Sequence, residues 1–206
     1  MKAKLKAFFQ SNVFRCVTVL LAIVLVSGAL LSVCNDLLFV SAEERFARTL
    51  AKIYGRQVET TQLSVSAEDA VFAEGTVNAA YLTDDGNYLI QSTGNGGYSG
   101  GTVTLWTVFS CEGSKEANDF KWLGIEKVVY ESDRKQSYIS KIKKKFYTEF
   151  TVHNEEILAG GKFTTAAGGD DIYTLSAGAS RSSAAIVNGV NTALAYFRAH
   201  VLGGEA

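Results

Sequence analysis

Between Val13 and Val33 the chain reads VFRCVTVLLAIVLVSGALLSV, apolar on every side, with a single charge at Arg15 near its edge. About 18–20 such residues let a helix cross a bilayer core of about 30 Å. A core helix of a globular domain would keep a polar face, so this run is read as a transmembrane anchor. Beyond it, polar and apolar positions alternate with a helical spacing. Ser41-Ala42-Glu43-Glu44 has the form of a capping box, Phe46, Leu50 and Ile53 share one face, and Gly55 closes the segment. This predicts a short stalk helix continuing from the anchor.

Further along, the period shortens to that of strands. Thr76–Thr83 and Asn87–Ser92 flank Asp84-Asp85-Gly86, a hairpin signal. A Gly-rich turn, Gly94–Gly101, leads into a strand over Thr102–Ser110, and Trp122–Glu131 supplies another, rich in β-branched residues. Ile139, Ile142, Phe146 and Phe150, spaced three and four apart, predict an amphipathic helix whose solvated face carries Lys141, Lys143, Lys144 and Lys145. A last helix begins near Ser182, with Ala185, Val187, Val190, Leu194 and Phe197 on its apolar stripe, and runs out at Gly203-Gly204. The predicted fold class is α+β: one N-terminal transmembrane helix followed by a single strand-rich domain. Residues 1–35 form tail and anchor, 36–56 the stalk, and 57–206 the outer domain.

Charge adds an orientation. The 206 residues carry a net charge of −1 and are 47% apolar, enough for a real core. Every charge before Asp36 is basic: Lys2, Lys4, Lys6 and Arg15 are four of 20 basic residues, and the other 16 face 21 acids. The positive-inside rule places the N-terminus in the cytoplasm and the domain across the membrane. A basic flank before an acidic body does not suit nucleic acid. Leu31-Ser32-Val33-Cys34 faintly follows a lipoprotein cleavage box, but Val33 is bulky where a small residue is needed, so an uncleaved anchor is expected. Cys111 stands alone in the outer domain and is expected to be a buried free thiol. His153 and His200 lack the spacing of metal ligands.

No nucleophilic triad, P-loop or dinucleotide fingerprint is present. Two small-residue turns remain, Gly94–Gly101 and Ser176–Ser183. In the second, small residues would let a backbone approach a ligand, and the helix that follows would offer free N–H groups and a positive dipole end to an anion. Simple helix capping would explain the same residues.

In chain order, the anchor, Gly97-Tyr98-Ser99-Gly100-Gly101-Thr102-Val103, a strand with a basic helix, and Ala177-Gly178-Ala179-Ser180-Arg181-Ser182-Ser183 resemble the FMN-binding domain family. Its membrane-anchored members are the G subunit of the Rnf electron-transport complex and the C subunit of the sodium-translocating NADH:quinone oxidoreductase. The first stretch is similar to the family's G-Y-x-G-x-[IV] strand entry, the second to its S-G-A-T-x-T-S flavinylation motif. The resemblance implies an electron-carrier subunit of an ion-translocating oxidoreductase complex in a bacterial or archaeal plasma membrane. It implies FMN joined through a phosphoester to Ser180 by a separate flavin transferase, with other subunits of the complex as partners. Gly178 and Ala179 would leave room for the cofactor, and Ser176, Ser182, Ser183, Tyr98 and Thr102 would line it.

The chain also departs from the family. Thr174 stands where the family has Asp, with Asp170 and Asp171 further upstream, and Ser132–Tyr138 replaces an E-T-P-G-L-G loop in which only Asp133 keeps the acidic character. These departures motivate an alternative, a flavin-free accessory subunit with the same fold. A third reading is an anchored binding protein for some other anion.

Overall fold

A computed structural model describes residues 12–38, 40–113, 115, 118–168, 171–176 and 178–203. Lys2, Lys4, Lys6, Asp170, Ala177 and Gly204 lie outside them. Two compact units meet in sequence between Thr49 and Leu50.

The first unit holds helix α1 (Asn12–Leu38), whose large apolar side chains from Val17 to Val33 stand exposed around its circumference. Its Phe14–Asp36 stretch is long and apolar enough to cross a membrane. Helix α2 (Ala42–Tyr54) starts on the expected cap, the Glu44 N–H donating to Ser41 Oγ at 3.1 Å. The Glu44 carboxylate is taken by Arg48 one turn on, at 2.6 Å. Gly55, at φ +71°, ends the helix and donates its N–H to the Ala51 carbonyl. Leu50 and Ile53 in the last turn are buried, so the second unit starts within the segment read as stalk.

That unit is built on an antiparallel sheet of β1 (Thr60–Leu63), β2 (Val71–Phe72), β3 (Gly75–Thr83), β4 (Tyr88–Gly94), β5 (Thr102–Glu112) and β6 (Lys121–Arg134). The strand order is β1-β3-β4-β5-β6, with β2 also paired to β3. The Asp84-Asp85-Gly86 turn joins β3 to β4 as expected, with Gly86 at φ +82°. Helix α5 (Ser180–Tyr196) lies across β4 and β5 and closes the main core. Val103, Leu105, Phe109 and Cys111 supply β5's share of it. A short π-helical turn, Phe197–Val201, continues α5 and stacks Phe197 flat on Phe109, with ring centroids 4.3 Å apart.

The closest helix–sheet approach is at Gly94. A Cβ there would collide with the backbone of Ala185 and Gly189 on α5. Ser92 Oγ donates to the Gly189 carbonyl at 2.8 Å beside it. The strand therefore delivers its last residue directly onto the helix, and the Gly-rich turn starts from that fixed point.

Two segments differ from the sequence expectation. The single helix expected over Ile139–Phe150 is a 3₁₀ turn at Ile139–Lys141, extended backbone at Ile142 and Lys143, and then α3 (Lys144–Val152). The three-and-four spacing fits both arrangements, because Ile142, Phe146 and Phe150 are buried either way. The short helix α4 (Asn154–Leu158) follows, and then a parallel pair of two-residue strands, β7 (Phe163–Thr164) and β8 (Ile172–Tyr173). Asn191 of α5 fixes that pair, accepting from the Phe163 N–H at 3.0 Å and donating to its carbonyl at 2.8 Å.

Candidate functional site

Three stretches far apart in sequence converge: the Gly94–Gly101 turn, the Ser132–Tyr138 loop and the start of α5. Gln136 joins them. Its Oε1 accepts from Ser182 Oγ at 2.9 Å and from the Tyr98 N–H at 3.4 Å, while Nε2 donates to the Arg134 carbonyl at 3.3 Å. Gln136 is only 4% exposed, and so nearly all of its polar capacity is spent inside the protein. The loop reaches this position through Asp133, whose Oδ1 accepts the Gln136 N–H at 3.2 Å and whose Oδ2 accepts from Tyr130 OH at 2.6 Å. Burial, with the hydrogen bond to Asp133 second, raises the Tyr130 phenol above its ordinary value. Lys135 between them sits at φ +60°, a strained conformation for a side chain-bearing residue.

The glycines of the first motif have a packing reason. A Cβ on Gly97 or Gly101 would collide with Gln136, and at Gly101 also with the Arg134 carbonyl. Tyr98 opens a one-turn 3₁₀ segment and leaves 59% of its surface in solvent. Ser99 and Gly100, both at positive φ, turn the chain back so that the Gly97 N–H meets the Gly101 carbonyl. Thr102 is half-buried at the first position of β5, opposite Arg134.

At the second motif, α5 begins at Ser180, two residues before the expected start. Gly178 is exposed at φ +80° with open space around its Cβ direction, and Ala179 is the buried N-cap residue. Ala179 has no side-chain oxygen, so no side chain caps the first turn of this 17-residue helix. The three serines fare differently. Ser180 is exposed. Ser182, 3% exposed, gives its hydroxyl to Gln136, and Ser183, fully buried, gives its hydroxyl to the Ser180 carbonyl at 3.0 Å. Ser182 and Ser183, expected to line a phosphate, thus have their hydroxyls committed to protein partners. Half-buried Ser176 accepts the Ala179 N–H through its carbonyl at 3.3 Å, which curls the loop into the helix.

A cleft of about 460 Å³ adjoins this loop. Lys141, Lys143, Lys145, Phe146 and Glu149 line it together with Tyr173–Ser176. All four lysines of this segment are exposed, as expected of a solvated face; Lys141, Lys143 and Lys145 line this cleft, and Lys144 lines a separate groove of about 870 Å³. Thr174, where the family pattern has Asp, is 4% exposed, and its Oγ1 has no hydrogen-bond partner among the described residues.

Gln136 was not singled out from the sequence. Its partners lie 38 and 46 residues away, and no local pattern marks a side chain for such a role. No protein-family model matches the chain, and no curated protein is detectably similar to it.

Proposed function

We propose that the chain is an electron-carrier subunit of a membrane-bound, ion-translocating oxidoreductase complex of the Rnf type, with FMN esterified through its phosphate to Ser180 Oγ. The observation that carries this reading is the state of Ser180. It is an exposed hydroxyl on the first residue of a long helix whose first turn lacks a side-chain cap, approached through a left-handed glycine. A phosphodiester attached there would keep one negative charge against free backbone N–H groups and the positive end of the helix dipole. The basic cleft beside the loop favours the same sign of charge. Gly178 and the absence of a large side chain at Ala179 leave space for the attached group. The bound flavin would supply the redox chemistry; the protein holds its phosphate, aims it and sets its surroundings.

Anchoring fits the role. In this reading α1 spans a bacterial or archaeal plasma membrane once, the basic N-terminal flank faces the cytoplasm, and the flavin domain lies outside beside other subunits. The test is the intact mass of the chain expressed with an active flavin transferase, which should rise by one FMN less one water. Ser180→Ala should abolish the adduct, and Ser182→Ala should retain it.

A second reading rests on Gln136. Its side chain fills the room left by Gly97 and Gly101, where the resemblance puts the flavin's neighbours. A flavin-free accessory subunit would use that amide as a structural tie between turn, loop and helix. Unmodified, colourless protein in the same expression would favour this reading.

A further inference from the structure

Strand β6 ends the sheet order β1-β3-β4-β5-β6, so one of its edges has no neighbouring strand. Such an edge offers backbone N–H and C=O groups to any extended chain that reaches it. At Ile125 the edge is finished from within the domain. Its N–H donates to Asn154 Oδ1 at 2.8 Å, and Asn154 Nδ2 donates to its carbonyl at 3.1 Å. From Glu126 to Tyr130, among the described residues, the backbone has no hydrogen-bond partner other than β5.

Glu126–Tyr130 also line, without a gap, the groove of about 870 Å³. Successive strand side chains point to opposite faces, so a groove that meets every residue of a stretch follows the strand's edge. Helix α3 lines the same groove through Lys144, Tyr147, Thr148 and Thr151, at the i, i+3, i+4, i+7 spacing of one helix face, and gives Phe146 and Phe150 to the core. Buried Val128 and Ile142 and half-buried Val129 and Ile139 make the lining apolar. The charges on it are Lys52, Lys127 and Lys144 against the single carboxylate of Glu126. Lys127 donates to the Ile53 carbonyl. Lys52 and Lys144 are exposed, and neither has an ion-pair partner among the described residues.

We infer that this groove seats an extended segment of a partner protein, which adds to β6 as an outer strand beside α3 and carries acidic side chains for Lys52 and Lys144. Unpaired backbone on a strand edge is satisfied by another backbone, which a lipid acyl chain lacks. The excess of ammonium groups suits a segment in which apolar residues alternate with Asp or Glu, and opposes a basic one. A second copy of β6 fits less well, because its edge arrives flanked by its own α3. The inference stands on the β6 edge alone and holds whether or not Ser180 carries a flavin.

The test uses the full chain in neutral phosphatidylcholine nanodiscs and a fluorescent, end-capped peptide in which valine alternates with glutamate. Fluorescence anisotropy should report saturable binding. The same peptide with lysine for glutamate should bind at least tenfold more weakly, and so should the acidic peptide with every backbone amide N-methylated. Thr148→Trp, which fills the groove from an exposed position, should abolish binding while the thermal midpoint holds. The double variant Lys52→Gln, Lys144→Gln should weaken binding several-fold, and Lys141→Gln, outside the groove, should leave it unchanged. Absence of binding, equal binding of the N-methylated peptide, or binding that Thr148→Trp and the double variant leave intact overturns the inference. Native mass spectrometry of the detergent-purified chain tests the other occupants. A retained lipid or a dimer, either one lost in Thr148→Trp, would give the groove to an acyl chain or to a second copy and overturn the inference as well.

Discussion

Gln136 is the residue on which the candidate site turns. Gln136→Ala would leave Ser182 Oγ buried without an acceptor and free the Tyr98 N–H, which should cost about 1–3 kcal/mol, read from the denaturation midpoint. Ser182→Ala should cost less, because the Tyr98 N–H keeps its acceptor. A second residue-scale prediction concerns Cys111. Burial pushes its thiol from an ordinary 9.0 up to about 12, so the native thiolate is disfavoured. In a variant lacking Cys16 and Cys34, Cys111 should resist maleimide at pH 8 and react at once on unfolding. Because the folded pKa lies above the unfolded one, this thiol leaves stability unchanged below about pH 9 and erodes it between 9 and 12. The buried thiol was legible from a lone cysteine in an apolar strand. The role of Gln136 was not, because glutamine on a polar loop looks the same whether its amide meets water or three protein partners.

At the scale of elements, the glycines separate two kinds of constraint. Gly94→Ala would drive a methyl group into the backbone of α5, and overpacking of that kind costs about 1–3 kcal/mol or more. Gly178→Ala meets open space and should cost only the left-handed backbone strain of about 1–2 kcal/mol. Thermal melts of the two variants should therefore rank Gly94→Ala as the more damaging. What the sequence disclosed follows the same logic. The Asp84-Asp85-Gly86 hairpin and the Ser41 cap were readable because local residues alone determine them. The break after Lys141 was not, since Ile142 and Phe146 reach the core through either geometry. The two-residue strands Phe163–Thr164 and Ile172–Tyr173 carry no periodicity of their own; the first is tied to α5 by Asn191, which bonds the Phe163 N–H and carbonyl. The start of α5 at Ser180 was off by only two residues, yet that shift separates one exposed serine from two buried ones.

For the whole molecule, α1 exposes apolar side chains around its circumference, and 23 residues rising about 1.5 Å each give roughly 35 Å, long enough to cross a bilayer core. The chain should stay with the membrane fraction after alkaline carbonate extraction. Leu25→Arg, near the middle of the span, should reduce insertion by an apparent cost of about 2.5–3.5 kcal/mol. Beyond α1, one sheet and one helix bring the Gly-rich turn, the Ser132–Tyr138 loop and Ser180 to the same end of a domain that Gln136 ties together. A covalent flavin on Ser180 would make that end an electron-transfer site; without it, the same geometry is a structural knot. The most direct test is the intact mass of the full chain co-expressed with a flavin transferase whose activity is verified on a known substrate. One FMN-phosphoester adduct per chain is expected, absent in Ser180→Ala and present in Ser182→Ala. An unmodified mass, or an adduct that survives Ser180→Ala, would contradict it.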